Sequence, residues 1–469
     1  MNGSRSLPGI ALGGGAFLAL ILLDRIALGY AALALGLLLF CLRTRTSLNW
    51  QIVLGAALGV GIGLALQGLT TAENAARHVA ALAVIGGLFI AALKMLIAPM
   101  ILLSITHGIA QMAEARDLGR IGLRTVALYL LTMVLAVTTG LVLVNLFHPG
   151  RGSALLESRF FLEAVGGAGE LPAYASLPEF LHETLRQILT NPFASLAEGR
   201  VLPIVVFAIL LGIALLQLGA RATVLVQTVS ASYEAIMKMI GWIIRLAPVG
   251  IFALIGKLVA SVPFGDLVEN LGRFAGVVIL GILIHAFVTL PLFARVLAGM
   301  HPAKLFRGIR EALVVAFSTS SSAATLPVTT RCVEENLQVP PSVSSFVLPL
   351  GATVNMDGTA LYEAIAAVFV AAIYGIDLPL GSQLVVFFVA MVTAIGAPGI
   401  PSAGMVTMLV VLEAVNLPGE AVGILLTIDR FLDTFRTMAN VEGDAVVAVC
   451  VARSEAGGGY IAASTTTGD

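Results

Sequence analysis

The sequence predicts an all-α polytopic membrane protein, and three observations carry that prediction. Hydrophobic residues make up 58% of the 469 positions and charged residues only 11%, with a mean hydropathy of +1.01, too little polar surface to dress a water-soluble globule. Apolar runs of about 20 residues or more, the length needed to cross a hydrocarbon core, recur from end to end. Cationic residues gather in alternate loops between those runs, as they do in a chain that threads a bilayer repeatedly. The formal net charge of -1 gives no ground for a nucleic-acid partner or a polybasic membrane-surface role.

The chain opens with two short apolar arms, 9–23 and 26–42, separated by Asp24 and Arg25. A cleaved signal peptide would account for one arm but not two, and Arg5 alone makes a weak basic start, so the pair reads as a retained helical hairpin. Apolar spans follow at 48–67, 78–110, 119–147, 201–218, 222–258 and 265–297, and later at 343–374 and 418–452. Arg43 and Arg45, then Arg116, Arg120 and Arg124, then Arg221, then Lys304, Arg307 and Arg310 flank alternate span ends, which puts those loops on the cytoplasmic side. Residues 148–200, with Pro149, Gly150, Gly166, Gly167 and Gly169, then form a long external excursion.

Two further apolar stretches are broken. Residues 303–335 carry Ser318, Thr319, Ser320, Ser321 and Ser322 before Leu326-Pro327, and 380–415 carry Gly396, Pro398, Gly399, Pro401 and Gly404 amid apolar sequence. Each would begin and end on one side, as a re-entrant hairpin. Non-helical backbone at membrane depth is tolerated only where protein or a water-filled cavity satisfies its N–H and C=O groups, so both tips point to a central site.

The last span holds Asp429, Asp433, Arg436, Thr437, Asn440 and Asp444, which at about 100° per residue fall within about 60° of one line. Each ionisable group at bilayer depth costs about 2.5–3.5 kcal/mol on insertion scales, so such a stripe needs partners or a polar cavity. An internal ion pair between Asp433 and Arg436, three apart, is the plain alternative. Against it stands Asn355-Met356-Asp357-Gly358-Thr359, whose Asn, Asp and Gly favour an unwound turn inside the 343–374 span. Unwound carbonyls beside carboxylates suit a hard cation such as sodium. Glu363, one turn beyond Thr359, is a candidate proton carrier or a plain hydrogen-bonded carboxyl.

Other chemistries fit less well. Cys41, Cys332 and Cys450 are scattered and share no metal-ligand spacing with histidine, so they read as packing residues, and His285 in its apolar run as a satisfied helix residue. An intramembrane hydrolase would need a base near Ser320 to Ser322, yet no His or Lys lies close in sequence and no Gly-x-Ser-x-Gly elbow occurs. A passive anion pore would use a basic ring, whereas Arg436 stands among carboxylates. A transporter of a small anionic solute is the favoured reading, with channel and hydrolase as its rivals.

Four ordered motifs, Thr319-Ser-Ser-Ser-Ala-Ala-Thr-Leu-Pro327, Asn355-Met-Asp-Gly-Thr359, Gly396-Ala-Pro-Gly-Ile-Pro-Ser-Ala-Gly404 and Asp433-x-x-Arg-Thr-x-x-Asn440-x-x-x-Asp444, make the chain resemble the dicarboxylate/amino acid:cation symporters, the glutamate transporter family, over residues 48–453. The resemblance implies about eight transmembrane helices, two re-entrant hairpins, a homotrimer in the lipid of the cell membrane, and an elevator mechanism. It divides the chain into the N-terminal hairpin (1–47), helices 1 and 2 (48–118), transport-domain helix 3 (119–147), scaffold helices 4 and 5 with the external insertion (148–258) and transport-domain helix 6 (259–300). Hairpin 1 (301–335), helix 7 with its unwound segment (336–379), hairpin 2 (380–416), helix 8 (417–453) and a cytoplasmic tail (454–469) complete it.

The function implied is symport of acidic amino acids, glutamate or aspartate, with Na+ and as a further candidate H+, and no organic cofactor, nucleic acid or enzymatic activity. A dicarboxylate or neutral amino acid as substrate, and proton-only coupling, are the alternatives within the family. Asp433 matches the carboxylate that holds the substrate amine, and Arg436 the guanidinium that grips an acidic side chain, a task for which its fork is suited. Ser320, Ser321, Ser322, Thr359, Ile400, Pro401, Gly404, Thr437 and Asn440 complete the implied substrate contacts. For sodium, Gly351, Asn355, Asn440 and Asp444 match one site, Tyr129, Thr132 and Asp357 a second, and the carbonyls of Thr353, Ala394, Ile395 and Ala397 a third; Glu363 matches a proton carrier. Met133 departs from the pattern where a Ser or Thr would complete the second site, since a thioether is a poor sodium ligand. An additional Arg that some relatives place at the position of Ser320 or Thr434 is at neither.

Overall fold

The computed structural model describes residues 26–43, 48–69, 72–117, 120–151, 186, 189–198, 200–395, 397 and 404–455. Among them no strand occurs, and the helices are α1 (Ile26–Arg43), α2 (Leu48–Leu69), α3 (Ala72–Asp117), α4 (Arg120–Phe147), the short α5 (Pro192–Glu198), α6 (Val201–Leu218), α7 (Thr223–Ile244) and α8 (Ala247–Ser261). Then come α9 (Phe264–Ile284), α10 (Leu290–Ala298), α11 (Pro302–Thr319), α12 (Ser322–Arg331), α13 (Pro341–Val354), α14 (Asp357–Ile373), α15 (Leu380–Ile395), α16 (Gly404–Ala414) and α17 (Val422–Glu455). Six spans among the described residues, Trp50–Gly68, Ala76–Ala110, Ile121–Phe147, Pro203–Ile244, Phe264–Ala298 and Pro341–Ile373, are long and apolar enough to cross a bilayer. The chain is thus an all-α, multi-pass membrane protein.

The expected spans recur with three physical differences. Residues 222–258 form not one helix but two, broken at Arg245 and Leu246. Pro248 explains the break, because it has no N–H for the carbonyl of Ile244 and its ring crowds that carbonyl. The span at 265–297 holds a π-turn, His285–Thr289, in which the N–H of Leu290 reaches back to the carbonyl of His285; Pro291 just beyond again removes an i→i−4 bond. The 78–110 span extends to the 46-residue α3, which accommodates Pro99 in its interior. Of the N-terminal pair, the arm 9–23 lies outside the described residues, while the second arm is α1.

One half of the molecule is held mainly by close apolar helix packing, with Gln67 of α2 donating to the carbonyls of Val259 and Val262 at its end. Gly55, Gly59 and Gly63, spaced four apart on one face of α2, lie against α8; a Cβ at Gly59 would stand 2.6 Å from the carbonyl oxygen of Phe252. Such small-residue stripes let two backbones approach so that dispersion contacts accumulate where lipid offers no hydrophobic driving force. α1 covers this layer, its buried Leu33 and Leu37 joining Leu82 of α3 and Phe252 of α8 in one apolar cluster. A buried polar bond fixes its height: Tyr30 OH lies 3.0 Å from His78 Nδ1, with the two rings edge to face.

The other half centres on α14 and α17. α14 is buried almost from end to end, and it is packed by α4, α9, α15 and α17. Phe369 of α14 stacks on Phe274 of α9 at 4.6 Å. α17 is buried without interruption from Ala439 to Ala452. The hairpin α11–α12 rests on it, with Ala312, Ala316 and Cys332 around Val441, and α15 and α16 pack against each other beside α14.

Candidate functional site

The break between α13 and α14 is where polar groups meet. Asn355 and Met356 leave the helical conformation, with φ −102°, ψ 82° and φ −111°, ψ 54°, so α14 starts afresh at Asp357 with unpaired N–H groups at its first turn. One of these is satisfied across the gap: the N–H of Gly358 donates to Asn440 Oδ1 at 2.8 Å. Contact here is backbone to backbone, since a Cβ on Gly358 would come within 2.6 Å of the carbonyl oxygen of Arg436. The Asn-x-Asp-Gly sequence therefore does two things, opening the helix and letting α17 lie directly on the opening.

To one side lies a four-residue charge network on α17. Arg436 is 1% exposed, and its Nη2 meets Asp433 Oδ1 at 2.8 Å and Asp429 Oδ1 at 3.0 Å. Its guanidinium carbon stands 4.1 Å from the centre of the Tyr362 ring, a cation–π contact strengthened by desolvation. Arg430 Nη1 holds the other oxygen of Asp433 at 3.0 Å. Nε and Nη1 of Arg436 are buried and have no hydrogen-bond partner among the described residues. Gly404, at the start of α16, leaves these donors room, because a Cβ there would lie 3.1 Å from Nη1. An unsatisfied buried donor on a charged group is costly, and a guanidinium offering two of them is a cradle for an anion.

To the other side lies a second polar cluster. Asn355 Nδ2 donates to Asp444 Oδ1 at 3.0 Å, and Thr132 Oγ1 lies 3.4 Å from Asn355 Oδ1 and 3.3 Å from Asp357 Oδ1. Tyr129 donates to the carbonyl of Val347 at 2.8 Å, and any side chain at Gly351 would run into the Tyr129 hydroxyl and the Asp444 carboxylate. Asp357 Oδ2 meets His285 Nε2 at 3.1 Å, both side chains fully buried. Oxygen ligands of this kind, two of them carboxylates, are what hard cations take. Asn440 joins the clusters, its Nδ2 lying 3.2 Å from Met356 Sδ and 3.5 Å from Thr359 Oγ1.

The remaining expected residues are placed unevenly. In hairpin 1, Ser320 takes the left-handed conformation (φ 50°), Ser321 caps α12 by accepting from the N–H of Ala324 at 3.1 Å, and Ser320, Ser321 and Ser322 are all buried. The tip reaches α17 through Phe317, edge to face with Phe435 at 5.3 Å. Thr437 is buried beside Arg436. In hairpin 2, Ile400 and Pro401 lie outside the described residues, whereas Gly404 touches Arg436. Two of the carbonyls named for a third cation site have other neighbours, and one of those residues is exposed. That of Ala394 accepts from Ala397 N–H at 3.2 Å, that of Ile395 lies against Gly108 of α3, and Thr353 is exposed. Glu363 is fully buried and accepts from Thr393 of α15 at 3.2 Å, which puts it under hairpin 2. Met133 is buried next to Thr132.

Arg430, Tyr362 and His285 join the site without having been singled out for it, and Asp429, named on the polar stripe, joins it without having been given a role. Asp429 was legible, because it falls on the polar stripe one turn before Asp433. Arg430 sits about 70° from the midline of that stripe, just outside it, and the contact of His285 with a carboxylate 72 residues away leaves no local trace.

Residues 48–454 match the profile of the Sodium:dicarboxylate symporter family. The chain is 36% identical over 437 residues to a Caenorhabditis elegans protein named Excitatory amino acid transporter, with 84% of this chain and 85% of the relative aligned. It is 33% identical over 441 residues to mouse Excitatory amino acid transporter 3 (84% and 82%). It is 35% identical over 423 residues to human Neutral amino acid transporter B(0) (84% and 77%).

Proposed function

Since the chain belongs to the sodium:dicarboxylate symporter family, whose members are transporters and not enzymes, we propose that it takes up acidic amino acids, aspartate or glutamate, together with sodium. Relatives named for excitatory and for neutral amino acids align about equally well, so overall identity does not choose between those substrates. The observation that carries the choice is Arg436, buried beside Gly404, with Nε and Nη1 unpartnered among the described residues. A neutral side chain would leave both donors unsatisfied, whereas a side-chain carboxylate satisfies them. Asp433 then receives the substrate ammonium, which disfavours a plain dicarboxylate.

Charge supports coupling to a cation. Asp429, Arg430, Asp433 and Arg436 cancel formally, so an acidic amino acid of net charge −1 adds an uncompensated charge to a buried site, a burden that only a co-bound cation relieves. Asp357, Asp444, Asn355, Asn440, Thr132, Tyr129 and the carbonyl of Gly351 are the proposed sodium ligands, and Glu363 carries a proton. Hairpin 2 would close over the substrate, and the half built on α14 and α17 would slide against the half built on α2, α3, α6, α7 and α8, in a homotrimer. Purified protein in liposomes should accumulate labelled aspartate under an inward sodium gradient. Equal accumulation under a proton gradient without sodium would reject the sodium assignment, and uptake of alanine but not aspartate would reject the acidic substrate.

A further inference from the structure

Asp433 is held on both oxygens: Arg436 takes Oδ1 at 2.8 Å and Arg430 takes Oδ2 at 3.0 Å. The two guanidiniums are not equivalent. Arg436 is bound also to Asp429, packed on Tyr362 and only 1% exposed, whereas the side chain of Arg430 is 13% exposed and that of Asp433 11%. Arg430 therefore lies on the open flank of the network and Arg436 on its closed flank.

On the reading that Asp433 receives the substrate's ammonium, a third cation would have to enter a space already holding two. Like charges within about 4–6 Å disfavour one another strongly in a desolvated site. One arginine must yield, and the flank it lies on decides which. We propose that Arg430 occupies the ammonium position on Asp433 as a built-in counter-ion, and that the amine of the substrate displaces it by swinging its flexible stem outward. The exchange leaves Asp433 paired with Arg436 and one incoming cation, so the carboxylate is never buried without compensation, a state that costs several kcal/mol. Arg430 thereby sets how strongly the site discriminates for an amine: it competes with an incoming ammonium, whereas a solute without one leaves it in place on Asp433.

The test compares aspartate with succinate, the same carbon skeleton lacking the amine, as competitors of labelled aspartate uptake in sodium. Wild type, Arg430→Met and Arg430→Lys are reconstituted in parallel. Removing the guanidinium weakens the site for both anions through its lost charge, but it removes a competitor only for the ammonium. The ratio of the succinate to the aspartate inhibition constant should thus rise about tenfold in Arg430→Met, equivalent to about 1.4 kcal/mol, and stay within about twofold of wild type in Arg430→Lys, which keeps a cation. An unchanged ratio in Arg430→Met, with both constants moved together, overturns the proposal and leaves Arg430 a general source of positive charge. Should Arg430→Met fail to reconstitute, Arg430→Gln gives the same readout. Wild-type protein that takes up no acidic amino acid would overturn the underlying substrate reading, a result distinguishable because it needs no variant.

Discussion

The α2–α8 contact and the α14–α17 contact are both places where two helices meet at backbone distance, yet they are built from opposite materials. On α2 three glycines remove side chains so that apolar surfaces can mate, and no charge is present. On α17 one glycine-permitted contact, Gly358 on Arg436, sits between a charge network and a cluster of carboxylate and amide groups. The first arrangement gains from every added contact and has no reason to change. The second holds unsatisfied donors and buried carboxylates that a solute and its ions would relieve. Stability and function are therefore concentrated in different halves, and each can be damaged alone.

The largest effect expected from breaking that separation is at Arg436. Arg436→Cys should lower acidic amino-acid uptake at least about 30-fold, since losing one partner of a buried charge pair costs about 2–5 kcal/mol, and should open uptake of neutral amino acids. Unchanged glutamate uptake would refute its role. Next, Gly59→Leu forces a side chain into the backbone of Phe252 and should cost about 1–3 kcal/mol of stability, read as a lower melting temperature in detergent with aspartate affinity unchanged. A change in affinity with unaltered melting would show that the halves are not separate.

A smaller effect sharpens the polar side. His285→Gln removes the imidazole that orients Asp357, and the sodium concentration for half-maximal uptake should rise about tenfold, the lower end for partners behind an ion ligand; the aspartate constant measured at saturating sodium should not move. The smallest is Glu363→Gln, which should leave the rate at its optimum within about twofold while flattening its dependence on pH, because the buried carboxyl that accepts from Thr393 becomes an amide that cannot exchange a proton. A mutant with the parent's pH profile would end the proton role.

Much of this was legible before any coordinates. The α17 stripe was visible because polar residues three and four apart in a membrane-length helix share a face, and the Asn355–Thr359 opening because its residue types oppose helix. The pairing of Asn355 with Asp444 follows once those two are set side by side. What escaped notice did so for physical reasons. His285 read as a satisfied helix residue with no named partner, since a lone histidine in an apolar run carries no periodic signal, and it lies in the π-turn His285–Thr289. Arg430 was overlooked because its Cβ points just outside the stripe. The break at Arg245 lay unread inside a span taken as one, although Arg245 and Pro248 marked it.

The network of Asp429, Arg430, Asp433 and Arg436 has an electrical consequence. A membrane potential acts on net charge, at about 2.3 kcal/mol per elementary charge per 100 mV, and two carboxylates with two guanidiniums present none. While all four are in place, this part of the pocket gives the voltage no handle on the protein. Current recorded across such a membrane would count passengers, and its dependence on voltage would be set by the ions that travel with the solute.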